Sequence, residues 1–204
     1  MTINNTLGWT DAVVNTCNRV FAAVHTLKRM QLILPFHVKM LLVKSLVFPH
    51  FNYCNSVIND MTVDLSSRLQ KAQNYCIRFL FNLQWSDRVT PYYIQSSILK
   101  LADQRTVRIA SLTQSVMQSG LPAYLAQNFH FVDEGGARTR SGSSMLRIPH
   151  HRTTAYNKSF LVTACRTWNS LPDHIKQTEN RSAFLAGLKE YFLDRMSAAE
   201  GFGR

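Results

Sequence analysis

Apolar residues along the chain recur at helical spacing rather than alternating. Between positions 10 and 30, Val13, Cys17, Val20, Val24 and Leu27 step by fours and threes, which places one apolar stripe on a helix. Thr10 is the expected N-cap, with Asp11 suited to the positive end of the helix dipole. Pro35 fits the first turn of a second helix carrying Phe36, Met40, Val43 and Val47 on one face. Pro49 should end or kink that helix and leave His50 to Cys54 as a bend. The clearest stripe is Leu65, Leu69, Ala72, Cys76 and Phe79, on a helix starting near Thr62 or Asp64, with Arg68, Gln70, Lys71 and Asn74 on its other face.

Thr90 and Pro91 read as N-cap and first position of a short helix reaching about Leu99. A less regular stretch from Asp103 to Gln118 uses Val107, Ala110, Gln114 and Met117, and stops at Gly120 with Pro122 behind it. From Asp133 to Thr154 the periodicity is lost, and only a short strand candidate stands out, around Ser144 to Pro149. Two further helices lie beyond it, from Ser159 to Leu171 and from Ser182 to Met196. Ser182 is the expected cap of the second, and Phe184, Leu188 and Tyr191 form its face. The pattern predicts a mainly α protein: a helical bundle over 1–130, a basic loop over 131–158, and two terminal helices in 159–204.

Composition makes this chain core-forming, because 46% of its 204 residues are hydrophobic and 11% aromatic. Charge changes the picture more. Only 12 acids accompany 23 Lys and Arg, a formal charge of +11 that comes from missing acids and suits a polyanionic partner. No apolar run has the length of about 20 residues that spans a bilayer, and no secretory leader opens the chain, so an intracellular protein, cytoplasmic or nuclear and without a membrane partner, is expected. Cys17, Cys54, Cys76 and Cys165 are widely separated and lack metal-ligand spacing, so they read as buried free thiols. Trp168, in helical spacing with Ala164 and Leu171, reads as a core anchor.

Two separated motifs add a resemblance. Lys44-Ser-Leu-Val-Phe-Pro-His-Phe-Asn-Tyr-Cys54, followed by Leu69-Gln-Lys-Ala-Gln-Asn74, resembles the region just downstream of the polymerase palm in jockey-like non-LTR retrotransposon reverse transcriptases. Tyr156, Ser159-Phe160, Ala164 and Trp168-Asn-Ser-Leu-Pro-Asp173 with Ile175 look like the terminal motif of the same family, and Leu7-Gly-Trp9 with Asp11 resembles the entry to its thumb. The resemblance implies a thumb-like, post-catalytic segment of an RNA-directed DNA polymerase.

Such enzymes need clustered aspartates to hold two metal ions, and this sequence has no Asp-Asp pair. The expectation is therefore a chain without catalytic residues, cofactor, metal or small-molecule substrate, which grips RNA or an RNA/DNA hybrid beside an active site supplied by other sequence. The candidate contacts are Arg138, Arg140, Arg147, Arg152, Lys158 and Arg166, in a stretch with no acid and with His150, His151, Tyr156 and Phe160 interleaved. Arg68 and Lys71, with Arg78, Lys28 and Arg29, offer a second surface. The competing expectation is a helical interaction or structural remnant that contacts no nucleic acid and self-associates through exposed apolar faces.

Overall fold

The computed structural model describes residues 8–53, 61–132 and 144–201. The protein is mainly α-helical and divides into two compact units, Met1–Asp103 with Leu193–Arg204, and Gln104–Phe192. The basic loop expected over 131–158 falls inside the second unit.

In the first unit, α1 (Thr10–Lys28) packs on α4 (Val63–Phe81). Every residue of the α1 stripe is buried: Val13, Cys17, Val20, Val24 and Leu27. Each such side chain contributes about 1.5 to 3 kcal/mol on leaving water, so the stripe outweighs the modest propensities of its β-branched members. The cap differs from expectation. Trp9, itself buried, occupies the N-cap position, its side chain giving no cap bond to the helix, and Thr10 is already helical. Thr62 does cap α4, its hydroxyl accepting from Leu65 N at 3.4 Å.

The second predicted helix departs further. A continuous helical run comprises α2 (Phe36–Leu42), a π-helical segment (Val43–Val47) and α3 (Phe48–Asn52). Pro49 therefore neither ends the run nor leaves His50 to Asn52 as a bend. Proline lacks an N–H and crowds the preceding turn, and the widened turn directly before it relieves that clash. The buried face is Lys39, Val43, Val47 and Phe51 rather than the set that begins with Phe36, which is 48% exposed. Steps of four drift by about 40° each in ideal α geometry, and a π turn absorbs part of that drift.

A network of neutral side chains joins α4 to the next two helices. Tyr93, on α5 (Thr90–Gln95), donates its hydroxyl to Asn74 Oδ1 at 2.8 Å and accepts from Gln70 Nε2 at 2.9 Å. Gln73 Nε2 donates to Leu99 O at 3.0 Å, and Gln70 Oε1 accepts from the N–H of Leu101 at 3.1 Å, where α6 (Leu101–Ser119) begins. Here α5 is shorter than expected, ending at Gln95, and Val89 rather than Thr90 holds its cap position. Ser97 then takes a left-handed conformation, φ 51°, and the chain turns to bury Ile98, Leu99 and Leu101.

In the second unit, α6 stops where Gly120 adopts φ 68°, a conformation costly for any residue with a Cβ. Beyond α7 (Ala123–Ala126), Phe131 and Leu146 form an antiparallel bridge, and the strand candidate is realised only to that extent. Next come α8 (Thr154–Asn157), α9 (Phe160–Asn169), α10 (Asp173–Lys176) and α11 (Arg181–Gly201), whose last turns belong to the first unit. Asn180 caps α11 in place of Ser182, its Oδ1 accepting from the N–H groups of Ser182 at 2.8 Å and Ala183 at 3.3 Å. Phe184, Leu188 and Phe192 are buried along α11, while Tyr191 is half-buried.

Tyr93→Phe removes the hydroxyl that Gln70 and Asn74 share, and should lower unfolding free energy by about 1 to 3 kcal/mol in urea titrations, with little change in helical circular dichroism. Burial pushes the Cys76 thiol up from an ordinary 9.0 to about 12 and also raises Tyr93. Above pH 9 the unfolded chain loses the thiol proton first, so this contribution is complete below pH 9 and is lost as pH climbs toward 12. Tm should therefore fall across that alkaline window, and a Cys76→Ala variant should show a shallower fall.

Candidate nucleic-acid interface

The acid-free tract is held by a clamp built from the Trp168 motif. Ser159 caps α9, its hydroxyl accepting from Val162 N at 3.5 Å. Val162, Ala164, Cys165 and Trp168 then form the buried face of α9. Trp168 stacks on Phe184, with ring centroids 6.1 Å apart, and its indole Nε1 donates to Ser144 O at 3.0 Å. Asn169 engages both backbone groups of one residue: Leu146 N donates to Asn169 Oδ1 at 2.8 Å, and Asn169 Nδ2 donates to Leu146 O at 2.8 Å.

The alternate backbone groups of the same short strand pair the other way. Val132 N donates to Met145 O at 3.0 Å, and Arg147 N donates to His130 O at 2.8 Å. Asn169 thus covers one edge of a one-bridge ladder as a neighbouring strand would. Leu171 is buried, Pro172 stands at the N-cap of α10, and Asp173 accepts from the Ser144 hydroxyl at 2.8 Å. That bond first, and Lys176 at 3.2 Å second, hold the Asp173 carboxyl below its ordinary range.

The described cations of the tract lie on the outside. Arg147, Arg152, Lys158 and Arg166 are all exposed. Arg152 and Lys158 flank α8, whose N-cap Thr153 accepts from Tyr156 N at 3.2 Å, and the Tyr156 ring is 42% exposed. Arg166 lies on the outer side of α9, with Nη2 3.4 Å from His151 Nε2. His151 Nδ1 lies 3.1 Å from Pro149 O, so the geometry fits the tautomer that donates from Nδ1 and accepts at Nε2. This contact brings the α9 cation to the segment that carries Arg152. Among the described residues no carboxylate pairs with Arg147, Arg152, Lys158 or Arg166. Arg138 and Arg140, named with them from sequence, lie outside the described residues, as does Cys54.

Arg68 and Lys71 are exposed on α4, in the first unit. Two of their expected companions have other work. Lys28 Nζ lies 4.6 Å from the centre of the Tyr75 ring, and Arg78 binds the backbone of the loop after α4. Gln70 and Asn74, expected on the same polar face, belong to the internal network around Tyr93. Sequence patterning missed that network and the Asn169 clamp, because an amide at a half-buried helical position gives no periodic signal.

The three described cysteines are buried and unpaired in disulfides, and burial raises each thiol, Cys165 to about 11. Such thiols are poor nucleophiles at neutral pH. Among the described residues no group of three or more His, Cys, Asp or Glu side chains could hold a metal ion, and no helix is long and apolar enough to cross a membrane.

Asn169→Ala strips Leu146 of both side-chain partners and should cost about 1 to 3 kcal/mol, the range for a buried polar group left unsatisfied. Hydrogen exchange should rise at Leu146 and Arg147 while α1 and α4 keep their protection. Equal loss of protection in both units would show that Asn169 does not act locally.

No family profile, no curated protein and no solved structure matches this chain.

Proposed function

We propose that the chain is a non-catalytic, nucleic-acid-gripping segment of a retrotransposon-type RNA-directed DNA polymerase, and that it holds RNA or an RNA/DNA hybrid through Arg147, Arg152, Lys158 and Arg166. One observation carries the reading. These cations are exposed, among the described residues no carboxylate pairs with them, and the Trp168 and Asn169 bonds to Ser144 and Leu146 order the backbone beside Arg147. Phosphates supply the missing counter-charge, and the ordering cost of the backbone is met before binding. Exposed Tyr156 adds a ring on which an unpaired base can stack. The ordered motifs described from sequence support the polymerase setting, and the catalytic aspartates belong to sequence other than this chain.

A second reading has its own support in the first unit, where Leu32, Ile33, Leu41 and Val63 are 101%, 83%, 65% and 82% exposed. Apolar surface of this kind favours a protein partner or self-association.

Anisotropy titrations of a labelled RNA and a hybrid duplex, from about 50 to 200 mM salt, separate the two. The gripping reading expects the logarithm of affinity to fall linearly with the logarithm of salt. It also expects a variant with all four cations replaced by Ala to lose about 0.7 to 0.9 of slope per phosphate contact removed. An unchanged slope, or no binding at low salt with concentration-dependent oligomers instead, overturns it in favour of the interaction reading. Primer extension by this chain alone would overturn the non-catalytic part.

A further inference from the structure

The loop between α4 and α5 is organised around one arginine. Arg78, in the last turn of α4, donates from Nε to Gln84 O at 3.3 Å, and from Nη2 to Trp85 O at 3.0 Å and Asp87 O at 3.1 Å. Asp87 Oδ2 closes the turn by accepting from Gln84 N at 2.7 Å. Asn82, left-handed at φ 53°, ends α4 and lets the chain reverse, with Leu83 N donating to Arg78 O at 3.0 Å. A loop with this many internal bonds is a preformed one.

What it presents is an indole. Trp85 is 83% exposed, whereas Trp9 and Trp168 are 9% and 4% exposed. Burying an indole is worth several kcal/mol, so leaving one in water on an ordered loop calls for an explanation. The Arg78 guanidinium carbon lies 5.2 Å from the Trp85 ring centre, a cation–π contact that fixes the ring plane. Among the described residues no carboxylate pairs with Arg78, and Arg88, two residues beyond Ser86, is exposed and equally unpaired.

We infer that this loop is a second nucleic-acid contact, in which Trp85, held by Arg78, stacks on an unpaired base while Arg88 meets the phosphate beside it. The inference rests on the nucleic-acid reading above, yet places a contact of a different kind on the other unit. Stacking needs only one flat partner, and aromatic platforms with neighbouring cations serve single strands without sequence preference. A protein hot spot needs a rim that excludes water, but Gln84, Ser86 and Arg88 around Trp85 are all polar and exposed.

Because Trp85 is the one exposed tryptophan of the chain's three, its emission reports on the site. The full chain is titrated with oligo(rU), with a blunt duplex of equal length and with poly-glutamate, recording tryptophan emission alongside anisotropy of the labelled oligonucleotides. The expected result is quenching by the single strand that saturates together with anisotropy, with weaker quenching by the duplex. Trp85→Leu should lose the quenching and bind the single strand about fivefold to a hundredfold more weakly, and Trp85→Phe should recover part of that loss.

Unchanged single-strand affinity in Trp85→Leu, or unchanged emission at saturation, overturns the inference while the basic-tract reading stands. Binding that survives alanines at Arg147, Arg152, Lys158 and Arg166 but not Trp85→Leu supports the loop and sinks the tract. Quenching by poly-glutamate alone assigns Trp85 to an acidic protein partner, and absence of any oligonucleotide binding overturns both readings.

Discussion

Asn169 meets both backbone groups of Leu146, and side-chain amides pair with backbone groups at several other points of this chain. Gln70 receives the first N–H of α6, Gln73 donates to Leu99 O, Gln114 donates to Thr178 O at 2.6 Å, and Asn180 caps α11. A carboxamide offers a donor and an acceptor on one flat group, so it can replace a missing peptide partner without bringing a charge inside. Each net contribution is about 1 kcal/mol, but leaving the backbone group unmatched costs more than the bond contributes. Apolar stripes bring α1 onto α4, while these particular joins depend on neutral amides being in place.

That dependence explains the charge. For the half-buried carboxylate of Asp103 the cost is visible: it lies 2.6 Å from Arg195, yet burial raises its carboxyl above the ordinary value, so desolvation outweighs the ion pair. A chain that satisfies buried backbone groups with amides has little structural use for acids. The 12 acids against 23 Lys and Arg accord with that, and among the described residues no carboxylate pairs with Arg147, Arg152, Lys158 or Arg166. The positive field is then a property of how the interior is satisfied as much as of the surface itself.

How much could be read from sequence divides along the same line. Apolar stripes on α1 and α4 were legible, because burial imposes a period and a period survives in any one sequence. The stop at Gly120 was legible through backbone sterics. The Thr62 cap was legible too, but three others were not: Trp9, Val89 and Asn180 hold the positions expected of Thr10, Thr90 and Ser182. The buried face of α2 was hidden by the π turn before Pro49, a change of period that no fixed 3.6-residue template contains. In the candidate site the exposure of Arg147, Arg152, Lys158 and Arg166 could be expected from composition, whereas the Asn169 amide that pairs with the Leu146 backbone left no periodic pattern to find.

The terminal motif shows why resemblance and binding have to be argued from different residues. Trp168, Asn169, Leu171, Pro172 and Asp173 are all spent on packing, backbone pairing, a helix start or a bond to Ser144. None of those roles leaves the side chain available to a phosphate. The cations that could meet one stand outside the clamp and make no contact on which the clamp depends, apart from the Arg147 amide, which any residue but proline would supply. Side-chain changes at the four cations can therefore remove charge while the fold persists. A change at Asn169 can loosen the fold while the charge persists. A sequence keeping Trp168 to Asp173 but losing the cations would keep the clamp's bonds, and it would lose the charge on which the proposed interface rests.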